Sequence, residues 1–116
     1  MPRRPTIKAA TVRGPRLFLR YPDEFGVADP AEPAPLPPSQ RYKAQAALVQ
    51  HELARQVTEQ MPRLGLTYPE LAEHVGVSVE QLRRLLRGES AMSVERMQRL
   101  ASAAGLRMTV RVERSE

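Results

Sequence analysis

The chain has 116 residues, of which 41% are hydrophobic and 27% charged, and its formal net charge is +5 with both histidines neutral. That length gives one domain with a modest core and room for a tail. The lack of any cysteine excludes disulfides, thiolate catalysis, cysteine-built zinc sites and iron–sulfur clusters. Two histidines argue against a histidine-built metal site, and no cofactor of any kind is expected. Aromatic residues are scarce, with no Trp, two Phe and three Tyr, which argues against an all-β sandwich or a stacking platform for single strands. No apolar run reaches the ~20 residues that span a bilayer. No apolar signal core follows the basic start Met1-Pro2-Arg3-Arg4-Pro5. A cytoplasmic protein without membrane association is expected.

The first forty residues read as a Pro-rich extension and linker. Nine of the eleven prolines lie in residues 1–38. Residues 1–20 carry six basic side chains and no acid, while residues 21–40 carry four acids and no base. Thr6 to Val12 and Leu17 to Tyr21 are short β-prone runs around Arg13-Gly14-Pro15-Arg16, which suggests a β-hairpin; a disordered basic arm is the alternative. The run Asp29 to Ser39 is too rich in proline for helix or central strand and reads as an extended spacer, or else a ligand for a polyproline-binding domain.

From residue 41 to residue 105 the pattern is helical. Val49, Leu53, Val57 and Met61 draw an apolar stripe on a helix from about Arg41 to Gln60, and Pro62 is expected to end it. Thr67-Tyr68-Pro69-Glu70 is a capping box, opening a helix that buries Leu71, Ala72 and Val75 and stops at Gly76. Ser78-Val79-Glu80-Gln81 reads as a second box, ahead of a helix with Leu82, Leu85 and Leu86 inward. Ser93 caps a fourth helix with Val94, Met97, Leu100, Ala101 and Ala104 on one face. Residues 106–116 form the last segment, in which Leu106 to Glu113 alternates apolar and polar and reads as a strand.

Two short helices joined by Gly76-Val77-Ser78 have the spacing of a helix-turn-helix. Small Ala72 lets the helices approach, Val77 fills the wedge, and the face carrying Val79, Glu80, Arg83, Arg84 and Arg87 points outward. The stretch Leu66-Thr67, Glu70-Leu71-Ala72, Val75-Gly76-Val77-Ser78, Leu82, Leu85, Arg87-Gly88, Ser93-Val94-Glu95 and Leu100-Ala101 resembles the phage-repressor (Xre/Cro-like) helix-turn-helix family. With the preceding helix the resemblance covers roughly residues 45–105. It implies a mainly α, four-helix, lambda-repressor-like domain that binds double-stranded DNA as a homodimer, with the helix opened by Ser78 entering the major groove. Position by position, Val79, Glu80, Arg83 and Arg84 fall on base-facing positions, and Ser78, which opens that helix, is a further DNA-binding candidate. Tyr68 falls on a phosphate-contacting position and Arg87 on a backbone contact. Tyr68-Pro69 departs from the family's usual Gln-Glu pair. Val79 offers only apolar contact, for instance to a thymine methyl, and Glu80 suits a cytosine amino group but repels phosphate. Arg96 and Arg99 fall on the fourth helix, as solvent or partner contacts.

The family usually continues with a fifth helix, whereas here a strand is expected directly after Gly105. An appended strand resembles antitoxins of toxin–antitoxin modules, in which it pairs with its twin across a dimer axis; pairing with the N-terminal hairpin is the alternative. That resemblance implies a toxin protein as a further partner. No catalytic constellation is visible, and the expectation is a non-enzyme. His51-Glu52-Leu53-Ala54-Arg55 begins like a zinc-protease helix, but Arg55 stands where the second histidine belongs. The expected function is sequence-specific DNA binding by a dimeric transcriptional repressor, in its narrower form an autoregulating antitoxin. The rival is a protein-interaction adaptor that keeps the scaffold without using it on DNA.

Overall fold

Four α-helices carry the architecture of the computed structural model, which describes residues 12–115: α1 (Arg41–Leu64), α2 (Tyr68–Val75), α3 (Val79–Leu86) and α4 (Val94–Ala103). Helices α3 and α4 each pack on both α1 and α2. The core gathers Leu53, Val57 and Met61 of α1, Leu71 and Val75 of α2, Leu82 and Leu85 of α3, and Met97 and Leu100 of α4.

Helix α1 differs from its prediction in two respects. Val49 is 46% exposed, and Gln50 and His51 are buried beside that position instead. Residues four apart advance 40° beyond a full turn, so the stripe from Met61 back to Val49 drifts by about 120° and its far end leaves the core. The helix also continues through Pro62 to Leu64. Proline there removes only one bond, its own to the carbonyl of Thr58, and the carbonyls at the helix end are still used: Leu66 N–H donates to Met61 O at 2.9 Å and Gly65 N–H to Pro62 O at 3.4 Å. In α4, Val94 stays 60% exposed, because a first-turn side chain leans back past the start of its helix.

Among the described residues no strand of the N-terminal hairpin is present. Pro15–Phe18 and Pro22–Glu24 are 3-10 turns, and Thr6 to Thr11, the other proposed arm, lies outside the described residues. Proline at positions 15 and 22 removes ladder donors and fixes φ. The partner of the 17–20 segment is the Pro-rich run itself. Leu19 bridges Pro33 in antiparallel sense, Arg20 N–H donates to Glu32 O at 2.9 Å, and Ala34 N–H to Phe18 O at 2.8 Å. This folded arm is part of the core: Leu19 and Phe25 are buried in it, and Arg55 of α1 pairs with Asp29 at 3.8 Å.

The C-terminal strand is likewise not formed. The chain after Gly105 is not helical and carries no strand or bridge among the described residues. An extended segment becomes a strand only by pairing its N–H and C=O groups with another, and among the described residues no bridge to this segment is made. Leu106 and Met108 pack against the core, while Val110 and Val112 are exposed.

Candidate nucleic-acid interface

The turn between α2 and α3 is built by local chemistry. Thr67 Oγ1 accepts from Glu70 N–H at 3.3 Å, and a Glu70 carboxylate oxygen accepts from Thr67 N–H at 3.2 Å, closing the capping box. Gly76 ends α2 in the left-handed region, φ 85°, which a side chain would strain. Val77 N–H then donates to Ala72 O at 3.0 Å, turning the chain and setting Val77 against the core. Ser78 Oγ accepts from Gln81 N–H at 3.0 Å and starts α3. Only this half of the second capping box is made; the Gln81 side chain returns no bond among the described residues.

Helix α3 has two unlike faces. Leu82, Leu85 and Leu86 are buried, and Ser78, Glu80, Arg83, Arg84 and Arg87 are exposed. Val79 departs from the expected outward position: it is half-buried and packs against the core, so less of it is available to a base. Each of the three outward arginines has a neighbour, Arg87 standing 3.9 Å from a Glu89 carboxylate oxygen. The Arg83 guanidinium lies 5.2 Å from the centre of the Tyr68 ring, which favours a cation over the ring face. Arg84 pairs with Glu80 one turn earlier at 2.6 Å, a solvent-exposed contact of small energetic weight. Tyr68 also lines a cleft of about 570 Å³ with Arg87 and Arg16. Tyr68, Arg83, Arg87 and Arg16 therefore make one continuous surface beside α3. Arg96 and Arg99 lie elsewhere, on α4, and Arg99 pairs with Glu95 at 3.4 Å.

The residues that hold α3 in place were missed at the level of pattern. Gln50, 1% exposed, donates through Nε2 to Leu85 O and to Ser90 O, both at 2.9 Å. Its Oε1 accepts from Met92 N–H at 3.0 Å. One amide thus fixes the end of α3 and the loop that follows. His51 Nδ1 accepts from Gly26 N–H at 2.8 Å, and its ring meets Phe25 edge-on at 5.6 Å. The Phe25 ring in turn fills the space where Gly88 lacks a Cβ. A polar pair on an otherwise apolar helix face was the available signal, because buried polar groups are mostly held by hydrogen bonds; Gln50 makes three, while His51 is held through Nδ1 and its Nε2 is buried without a partner among the described residues.

No group of His, Cys, Asp and Glu able to hold a metal occurs among the described residues, and no described helix is long and apolar enough to cross a membrane. No curated protein and no solved structure matches the chain. A family model described as a helix-turn-helix domain matches residues 40–113. That span takes in all four helices and their turns, and the chain belongs to the helix-turn-helix domain family.

Proposed function

We propose that the chain is a sequence-specific double-stranded-DNA-binding transcriptional regulator that acts as a dimeric repressor of the phage-repressor type, without catalysis. The observation that carries this reading is α3 itself: three leucines anchor it, and Glu80, Arg83, Arg84 and Arg87 stand on an outward side that the rest of the described chain leaves open. A pair of α3 helices about 34 Å apart would enter successive major grooves of a palindromic site and exclude other proteins from it. Arginine contacts to phosphate supply affinity and register, while contacts to base edges supply choice. The exposed segment 109–112, which pairs with no strand among the described residues, supports a twofold partner, since an exposed extended segment invites pairing. The narrower form of the reading is an antitoxin that represses its own operon and also binds a toxin protein.

Arg83→Ala and Arg84→Ala test it. Each should cost about 1–3 kcal/mol on a duplex selected from a random library, with a smaller loss on a scrambled duplex. Equal losses on both duplexes would show that these arginines hold the backbone and read no base.

A further inference from the structure

We propose that the cleft between the Pro15–Phe18 turn and α1 binds a small apolar carboxylate, and that the bound carboxylate tightens the hold of α3 on duplex DNA. The site stands on its own geometry, while its regulatory use rests on the DNA-binding reading above and deepens it.

The cleft holds about 460 Å³, within the range of small-ligand sites, which are mostly apolar with a few placed polar groups. Pro15, Leu17 and Phe18 of the turn form one wall, and Met92 and Met97 form another. Leu17 is 50% exposed, so a bound apolar body takes that area from water, and the two thioether chains adapt to the shape that enters. Among the described residues, Lys43 and Gln50 are the polar side chains of the lining, and none is acidic. Both N–H bonds of the Gln50 amide are spent on backbone carbonyls, which leaves Lys43 as the group that selects the ligand. Lys43 is exposed and pairs with no acid among the described residues. One ammonium matches one carboxylate; a phosphate group carries more charge and more oxygens than this single cation serves.

Two walls of this cleft are fastened to the chain at the end of α3. From α1, the Gln50 amide bonds to Leu85 O, Ser90 O and Met92 N–H. From the arm, Arg16 N–H, inside the Pro15–Phe18 turn, donates to Gly88 O at 3.1 Å. A molecule that spans the turn and α1 holds both clamps in the arrangement that buries Leu85 and leaves Arg83, Arg84 and Arg87 exposed. It therefore favours this conformation over any in which the arm has parted from α1. DNA that needs α3 seated favours the same conformation, so each ligand strengthens the binding of the other.

The test uses the full chain with methyl-labelled methionines, octanoate as the probe and octanol as its uncharged counterpart. Octanoate is expected to move the Met92 and Met97 methyl signals saturably, with a dissociation constant on the order of 1 mM or tighter. The signals of Met61 and Met108, which lie outside the cleft, should stay in place. Lys43→Gln should weaken octanoate about threefold or more and leave octanol unchanged. Ala46→Phe, at an exposed position of α1 that lines the cleft, should fill it and abolish both shifts at an unchanged unfolding midpoint. Saturating octanoate should tighten binding to a duplex selected from a random library about fivefold or more. Equal affinity for octanoate and octanol, or no effect of Lys43→Gln, would overturn the carboxylate. Equal shifts at Met108, or Met92 and Met97 signals that follow protein concentration and ignore octanoate, would overturn the site, the latter by placing a second copy in it. Octanoate binding that leaves DNA affinity unchanged would overturn the regulatory step. A chain that binds its duplex and ignores octanoate would lose the site and keep the α3 reading; one that binds octanoate and no duplex would keep the site and lose that reading.

Discussion

His51 sits where two parts of the chain meet, and its chemistry makes that junction sensitive to acid. Its ring is 2% exposed, and Nδ1 must stay unprotonated to accept the Gly26 N–H. Burial lowers its pKa from the usual 6.5, opposed by the Ala28 backbone, Glu52 and Asp29 and aided by Arg55. With the folded pKa below the unfolded one, the unfolded chain binds more protons as acid is added. The contribution to stability is complete above about pH 6.5 and is lost as pH falls toward the folded value. The thermal midpoint should therefore drop between about pH 7.5 and 5.5, and His51→Gln, which keeps an acceptor, should flatten that drop. An equal drop in H51Q would assign it to other groups. The sequence shows why this residue is hard to read in advance. His51 begins a broken metalloprotease pattern, and rejecting the zinc reading leaves no further use for it. Its real partner, Gly26, is twenty-five residues away in a Pro-rich segment with no periodicity. Arg83, Arg84 and Arg87 were legible for the opposite reason: their neighbours on α3 are fixed by local spacing.

Among the elements, the α2–turn–α3 unit is fully local, and α3 with its arm is not. Both ends carry a glycine with positive φ, but they differ in what surrounds it. Gly76 has φ 85° and open space where a Cβ would stand. Gly76→Ala should cost only the left-handed strain, about 1 kcal/mol. Gly88 has φ 73° and the Phe25 ring 2.7 Å from where a Cβ would stand. Gly88→Ala should cost about 3 kcal/mol, strain and overpacking together, and should release Phe25 from its seat. Chemical denaturation of both variants measures the difference; equal costs would mean that the arm yields freely and is not part of the core. Capping residues, glycine stops and leucine spacing made the helices readable because each acts within a few residues. The arm was misread because its bonds run from Arg20 to Glu32 and from Phe18 to Ala34. Neither pairing follows from a turn signal, and proline content suggests a spacer even where the chain is packed.

At the scale of the whole molecule, the open question of geometry is how two copies of α3 would be held one helical turn apart. The described chain ends in an extended segment whose first half is used and whose second half is not. Leu106 and Met108 pack on the core, while Val110 is 64% and Val112 91% exposed, with Arg107 and Arg111 alternating between them. The period-two pattern was legible and the strand was not, because pattern sets which face is apolar and pairing needs a second edge. A twin segment across a twofold axis would supply that edge, bury both valine pairs and close a ribbon between the two helix-turn-helix units. Linking them makes the second groove contact intramolecular and raises affinity without any new base contact. Val110→Asp with Val112→Asp should therefore leave the fold of the single chain intact, since neither valine is in the core, and lower the unfolding midpoint only by the part that depends on protein concentration. It should also shift the sedimenting species from twice the chain mass to one, and lower affinity for a palindromic duplex at least tenfold while sparing a half-site. A wild-type chain that sediments as a monomer at micromolar concentration and binds the palindrome as tightly as the variant would remove the ribbon from the mechanism.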